Sequence, residues 1–404
     1  SEQRALREQR VGGSADRAGD GAAGDRGVEE LALRILATHI ACGWLHSWPA
    51  AAREQLLAPL GLTTHHVRSA TGASPQTYPP GVIGALLRGE GEGRAAGRAG
   101  LADPTFAEAM RRAADALPLA LPTEMLLSQG GDDRIIPDPQ TGLNRYGCRP
   151  CPTPGVAGWG SCSANSPTPR AFEAAESFRQ RMLLAALSDG DVAAAEGAAE
   201  SIRRRLRAVF ELDDAACDIV LTPSGTDAEY LCTLIGLAPG DAPLLNLVVA
   251  PREIGSGSAL AAAGEHISNI VPAGCHTTKG APLAGFPTDR LTVETVGVRD
   301  GAGLPRAPAD LEAERAARID GAVEAGSRVL LHLVDRSKTG LTRPSPGFAE
   351  TMRARHGDRL RIVADAAQGR FAPATLKRYL DAGFMVILWG SKFYAGPSFS
   401  GAVL

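Results

Sequence analysis

Three short stretches of this 404-residue chain hold residue types that can do chemistry together. The first is Ser224-Gly225-Thr226 in "LTPSGTDAEY", a turn placed to open a helix. Free backbone N–H groups, two hydroxyls and the positive end of a helix dipole make an anion site, with phosphate as the natural guest. The same three residues also serve as an ordinary helix cap. The second is Asp365 in "RIVADAAQGR", directly after a run of apolar strand residues. A carboxylate there is costly unless it faces a cation or a protonated nitrogen, or caps the stretch that follows. The third is Lys392 in "VILWGSKFYAGP", 27 residues beyond Asp365. Of 42 basic Lys and Arg residues only Lys279, Lys338, Lys377 and Lys392 are lysines, so surface charge is carried by arginine. A lysine kept at a strand end suggests an amine that can lose its proton and act as a nucleophile, which guanidinium cannot do. A further strand end, "LVDRSKTG", offers Asp335, Ser337 and Lys338, the last either a loop cation near the site or a solvated charge.

The elements that position these groups follow from hydrophobic rhythm. Short continuous apolar runs, "DIVL", "APLLNLVVAP", "SRVLLHLVD", "LRIVADAAQG", "GFMVILWGSK" and "SFSGAVL", read as strands. Between them lie helical stretches near 308–325, 346–356 and 373–382, and one long helix is expected over about 169–209. Continuous apolar strands alternating with helices predict an α/β fold, a mainly parallel sheet of the seven-stranded type with helices on both faces. Ligands of such sheets bind beyond the carboxyl ends of the strands, where all three stretches fall. Ahead of this region, residues 1–27 have hardly any large apolar side chain and read as disordered. Residues 28–139 read as a helical N-terminal extension and linker, with helical patterns near 28–60 and 104–116, and residues 140–404 as the large domain.

A phosphate cradle, a strand-end Asp and a strand-end Lys, in that order, match the needs of pyridoxal 5'-phosphate: an anion site, a carboxylate for the pyridinium nitrogen and a lysine for a Schiff base. At these residues the chain resembles a family. "VADAAQGR" and "GSKFYAGPSFSGAVL" look like the corresponding segments of fold-type I pyridoxal-phosphate enzymes, specifically class V aminotransferases and cysteine desulfurases. The resemblance covers about residues 140–404, with "TGLNRYG" as the usual entry to the large domain. It implies that Lys392 forms the Schiff base, that Asp365 pairs with the ring nitrogen and that Gln368 approaches the phenolic oxygen. It also implies that Ser224, Gly225, Thr226 and Ser391 bind the phosphate, and that a second subunit completes the cleft in a homodimer acting on an amino acid. In this family a small C-terminal domain follows the strand at which the chain ends, so a missing C-terminal domain is an expectation, and with it poor activity of this piece alone.

The chain departs from the family in three places. An aromatic ring usually stacks on the cofactor after the strand read at 244–250, where this chain has "PREIGSGS"; Arg252, Glu253, the backbone near Ile254, His266 and His276 are the candidates to replace it. Ser391 stands where the family has a histidine, and Asp335, Arg336 and Ser337 offer no match for a frequent asparagine. Competing readings are a cofactor-fold protein that binds or regulates without turnover, and a nucleotide-binding α/β protein built on Gly255-Ser256-Gly257. The latter has Leu260 in place of a third glycine.

Composition narrows the class. A net charge of −3 gives no basic footprint for nucleic acid, and no apolar run reaches the length of a membrane helix. Seven cysteines (42, 148, 151, 162, 217, 232 and 275) form no framework. Cys148-Arg-Pro-Cys151 lacks a second ligand pair, so no metal site is expected, and reduced thiols without a signal peptide point to the cytoplasm.

Overall fold

A computed structural model describes Leu119 and residues 121–128, 134–156, 164–213, 217–238, 240–271, 276–398 and 400–404. The expectations for residues 1–27, 28–60 and 104–116, and most of the 28–139 extension, lie outside the described residues. Ala195–Leu404 with Leu121–Met182 form one compact unit, which holds the whole sheet. Among the described residues no helix is long and apolar enough to cross a membrane.

The chain runs through helices α1 (Pro169–Asp189) and α2 (Asp191–Phe210) into strand β1 (Val220–Thr222). Helix α3 (Gly225–Leu237), β2 (Leu244–Val249), the short helix α4 (Ser258–Ala262) and β3 (Leu291–Val296) follow. Then α5 (Pro308–Glu324), β4 (Arg328–Val334), α6 (Pro346–His356), β5 (Leu360–Asp365), α7 (Pro373–Asp381), β6 (Met385–Trp389) and β7 (Gly401–Val403) alternate to the end. Proline opens α5, α6 and α7, where a missing N–H costs nothing, and the Ser345 hydroxyl caps α6 by accepting from Phe348 N at 3.2 Å.

The strands form one seven-stranded sheet in the order β1-β7-β6-β5-β4-β2-β3. All neighbours are parallel except β7, which is antiparallel to both β6 and β1. Side-chain alternation sorts each strand between two apolar layers. Leu245, Leu247, Val329, Leu331, Leu333, Ile362, Ala364, Val386 and Leu388 pack with Leu311 and Ile319 of α5, Met352 of α6 and Leu376 of α7. The alternate residues Leu244, Leu330, Val363, Ile387 and Val403 pack with Ala228, Cys232 and Leu237 of α3. Each fully buried aliphatic side chain contributes on the order of 1.5–3 kcal/mol, so these layers hold the strand ends in register. Helices therefore cover both faces, as the uninterrupted apolar runs predicted.

Two elements differ from the sequence reading. The long helix expected over 169–209 is broken at Gly190, whose φ of 92° lies in the left-handed region that interrupts a helix. Strand β3 went unread because it is an edge strand: Thr292 and Glu294 interrupt its apolar residues, and the run is never continuous.

Candidate functional site

Register alone brings the three stretches to one end of the sheet. Thr222 of β1 pairs with Gly401 of β7, which pairs with Trp389 of β6, so Ser224 and Ser391 leave the sheet at the same level. On the other side of β6, Asp365 closes β5 opposite Ile387. The chain then folds α3 back over the sheet. A Cβ on Gly225 would meet Trp389 Cε3 at 2.6 Å and Ile387 Cγ2 at 3.5 Å, so the start of α3 rests on β6, about 5 Å from the neighbouring strand β5.

The turn is organised by Ser224 at the start of α3. Ser224 caps α3: its hydroxyl accepts from Asp227 N at 3.0 Å and donates to the Asp227 carboxylate, while its carbonyl accepts from Ala228 N at 3.0 Å. The N–H groups of Gly225 and Thr226 have no acceptor among the described residues. Both residues are buried. The loop after β2 closes against Thr226, since a Cβ on Gly257 would lie 3.0 Å from Thr226 Cγ2 and 3.3 Å from Ile267 Cβ.

Across the site, Ser391 is 1% exposed and its Oγ has no hydrogen-bond partner among the described residues. The indole Nε1 of Trp389 is likewise buried without a partner among the described residues. Lys392 lies beside the same ring, its Nζ 4.9 Å from the Trp389 centroid, at the distance of a cation–π contact. One indole thus touches both the anion turn and the lysine. One Asp365 carboxylate oxygen accepts from Ala367 N at 3.1 Å, which shapes the turn that leads to the buried Gln368. Gly369 (φ 67°) completes that turn, and a Cβ there would lie 2.9 Å from Tyr394 Cε2 and 3.3 Å from Phe393 Cβ. The Asp365–Gly369 turn and the Lys392–Tyr394 turn are therefore packed on each other.

Other candidates have structural work. Glu253 is 6% exposed and accepts from Arg299 Nε at 2.5 Å, from Thr339 Oγ1 at 2.5 Å and from Ser337 Oγ. Burial pulls its carboxyl up, but the hydrogen bonds from Ser337, Thr339 and Arg299 outweigh it and hold the pKa below the ordinary value. Lys338 Nζ donates to Ile254 O at 2.6 Å, so its ammonium ties the loops after β4 and β2 together. Among the proposed substitutes for a stacking ring, Arg252 and His276 are exposed, His266 is half-buried and Ile254 is buried. Asp335 is 7% exposed, and burial pushes its carboxyl up. Its backbone N–H donates to Asp365 O at 2.9 Å, holding the ends of β4 and β5 level.

Sequence reasoning missed a second polar group behind the site. Asn246, in the middle of "LLNLVV", and His332, in the middle of "VLLHLVD", are 0% and 1% exposed and meet at 2.7 Å, with Glu229 of α3 beside them. A lone polar residue inside an apolar strand was the available signal, because burial there requires a partner. Among the described residues no group of three His, Cys, Asp or Glu is placed to hold a metal ion. Cys148 and Cys151 are free thiols, and Cys162 lies outside the described residues.

No family model matches the chain, and no curated protein matches it. Solved structures resemble part of it. Histidinol-phosphate aminotransferase from Clostridium acetobutylicum is 12% identical over 50% of this chain and 49% of its own, with a TM-score of 0.32. Tryptophan decarboxylase from Catharanthus roseus in complex with L-tryptophan is 12% identical over 52% and 44%, with a TM-score of 0.35. A putative aromatic amino acid beta-eliminating lyase/threonine aldolase from Exiguobacterium sp. 255-15 is 18% identical over 50% and 47%, with a TM-score of 0.29. The matched region spans about half or less of the length of each of these chains.

Proposed function

We propose that this chain is the cofactor-binding part of a pyridoxal-phosphate-dependent enzyme acting on an amino acid, of the class V aminotransferase or cysteine desulfurase type. The observation that carries the reading is the convergence of the Ser224–Thr226 turn, Asp365 and Lys392 at adjacent strand ends, with Trp389 in contact with both the turn and the lysine. The donors fit the group. Among the described residues the Gly225 and Thr226 amides lack acceptors and the Ser391 hydroxyl is buried without a partner, which is what a phosphate would satisfy.

Ser224, Gly225, Thr226 and Ser391 would hold the phosphate, Asp365 would face the ring nitrogen, Gln368 the phenolic oxygen, and Lys392 would provide the covalent link. When bound, pyridoxal phosphate supplies an electron sink that weakens the bonds at the substrate α-carbon. Asp365, partly buried at the end of β5, would hold a proton on the ring nitrogen by offering it a carboxylate. The Lys392 amine would be placed to move a proton at the substrate carbon. Trp389 provides an apolar wall that keeps this amine within the site. The reading includes a homodimer, which light scattering of the purified protein tests.

The deciding experiment is borohydride reduction of protein mixed with pyridoxal phosphate, followed by peptide mass mapping. The expected result is near-visible absorbance and a cofactor fixed on Lys392, with neither in Lys392→Ala. Colourless protein, or fixation on Lys279, Lys338 or Lys377 instead, would sink the proposal. A panel of amino acids then separates the types. Alanine and sulfide from cysteine mark a desulfurase, a keto acid that requires an acceptor marks an aminotransferase, and binding without product marks a non-catalytic protein of the same fold.

A further inference from the structure

Beneath α3, Thr233, Asn246, His332 and Glu229 form a polar row inside an otherwise apolar layer, none more than 1% exposed. Its proton pattern follows from the groups that can only accept. Ala262 O accepts, so the Asn246 atom 3.2 Å away is Nδ2, which also donates to Thr233 Oγ1 at 3.0 Å. Asn246 Oδ1 therefore faces His332 Nε2 at 2.7 Å, and Nε2 carries the hydrogen. That leaves a lone pair on His332 Nδ1, 3.5 Å from Glu229 Oε2. A lone pair and a carboxylate repel each other, so one proton belongs between them.

Burial decides which atom keeps it. A buried ion pair needs further hydrogen bonds to offset desolvation, and among the described residues Glu229 Oε2 has none. Burial pulls His332 down to about 3, and burial and then the Asp365 charge push the Glu229 carboxyl well up. Among the described residues Cys232, a buried thiol also pushed up, faces the pair as well. Location gives the pattern a use. Glu229 is one helical turn inside α3, whose N-terminus is the anion turn, and on the same face of the sheet as Asp365.

We propose that Glu229 is a neutral carboxylic acid that offers its proton to His332, and that this uncharged pair is a positioning device which keeps a second negative charge away from Asp365 and from the anion turn. The protonation state stands independently, whereas the positioning role rests on the cofactor reading above. Infrared spectroscopy of the ligand-free protein at neutral pH tests the first part. The expected result is a deuterium-sensitive carbonyl stretch of a protonated carboxyl group, lost in Glu229→Gln. Absence of that band, or its survival in Glu229→Gln, overturns the proposal. If the variant does not fold, the carboxyl carbon shift of glutamate-labelled wild type answers instead: one glutamate should stay protonated through neutral pH, and titration of every glutamate at ordinary values overturns the proposal.

Titrations of inorganic phosphate and of pyridoxal phosphate into Glu229→Gln test the positioning role. Affinities within about a factor of two of wild type, roughly 0.3 of a pK unit, are expected when one neutral group replaces another. Tightening by about tenfold or more would mean that a like charge had been removed, and would overturn it. Wild type that shows the band but takes up no pyridoxal phosphate overturns the cofactor reading, and the positioning role with it, while the protonation state stands.

Discussion

Gly225 lies so close to Trp389 that a Cβ on it would sit 2.6 Å from Cε3 and 2.9 Å from Cζ3 of the indole. The anion turn is laid directly on the residue three before Lys392, so the geometry of one is set by the other. Gly225→Ala should therefore overpack this contact and lose about 1–3 kcal/mol of stability. It should also weaken phosphate binding, because the Gly225 amide would shift. Trp389→Leu in the same chain should recover part of the stability. Thermal melts of the four proteins of this cycle check the coupling, and strictly additive losses would show that the contact is not the cause.

Asp365→Asn removes the charge that the ring nitrogen would face while keeping the side chain's size. On the proposed reading, the expected outcome is a fall of about 100-fold or more in kcat for any amino acid the protein is found to turn over. Fixation on Lys392 by borohydride should persist. Loss of fixation instead would place Asp365 in folding or binding rather than in proton control.

Glu253 holds the loops after β2, β3 and β4 through Arg299, Ser337 and Thr339. Glu253→Ala leaves those donors without a buried acceptor, so a loss of roughly 1–3 kcal/mol is expected. Hydrogen exchange should rise at residues 250–257, 299–303 and 337–341 before it rises in β4 and β5. Uniform acceleration across the sheet would contradict a local role.

Acid sensitivity follows from His332. Its pKa is about 3 in the folded protein against 6.5 for the ordinary imidazole, because burial disfavours the charged form. Between those values the unfolded chain binds a proton that the folded one does not, so stability falls as pH drops from about 6.5 toward 3. Glu229 acts in the opposite direction: its raised carboxyl makes the folded form retain a proton above about 4.5, and that contribution weakens as pH rises. His332→Gln should flatten the acid limb in urea melts between about pH 7 and 4. Parallel slopes for variant and wild type would exclude His332 as the source.

The sequence by itself determined the alternation of apolar runs and helices, and with it a sheet covered on both faces. It also determined where polar residues close or follow the strands: Asp365 after Ile362, Val363 and Ala364, and Ser391 and Lys392 just beyond Trp389, were legible because a polar residue after an apolar run has few places to go. The helix break at Gly190 and the edge strand β3 were not legible, since one glycine is tolerated in many helices and an edge strand does not need a continuous apolar run. Tertiary structure alone decided the rest. Strand order brought β1 and β6 to either side of β7, although Thr222 and Trp389 are far apart in the chain. Packing turned Trp389 from a core residue into the contact between anion turn and lysine, and gave Glu253 and Lys338 to loop anchoring. Burial, which no local pattern encodes, made neutral partners of Glu229 and His332.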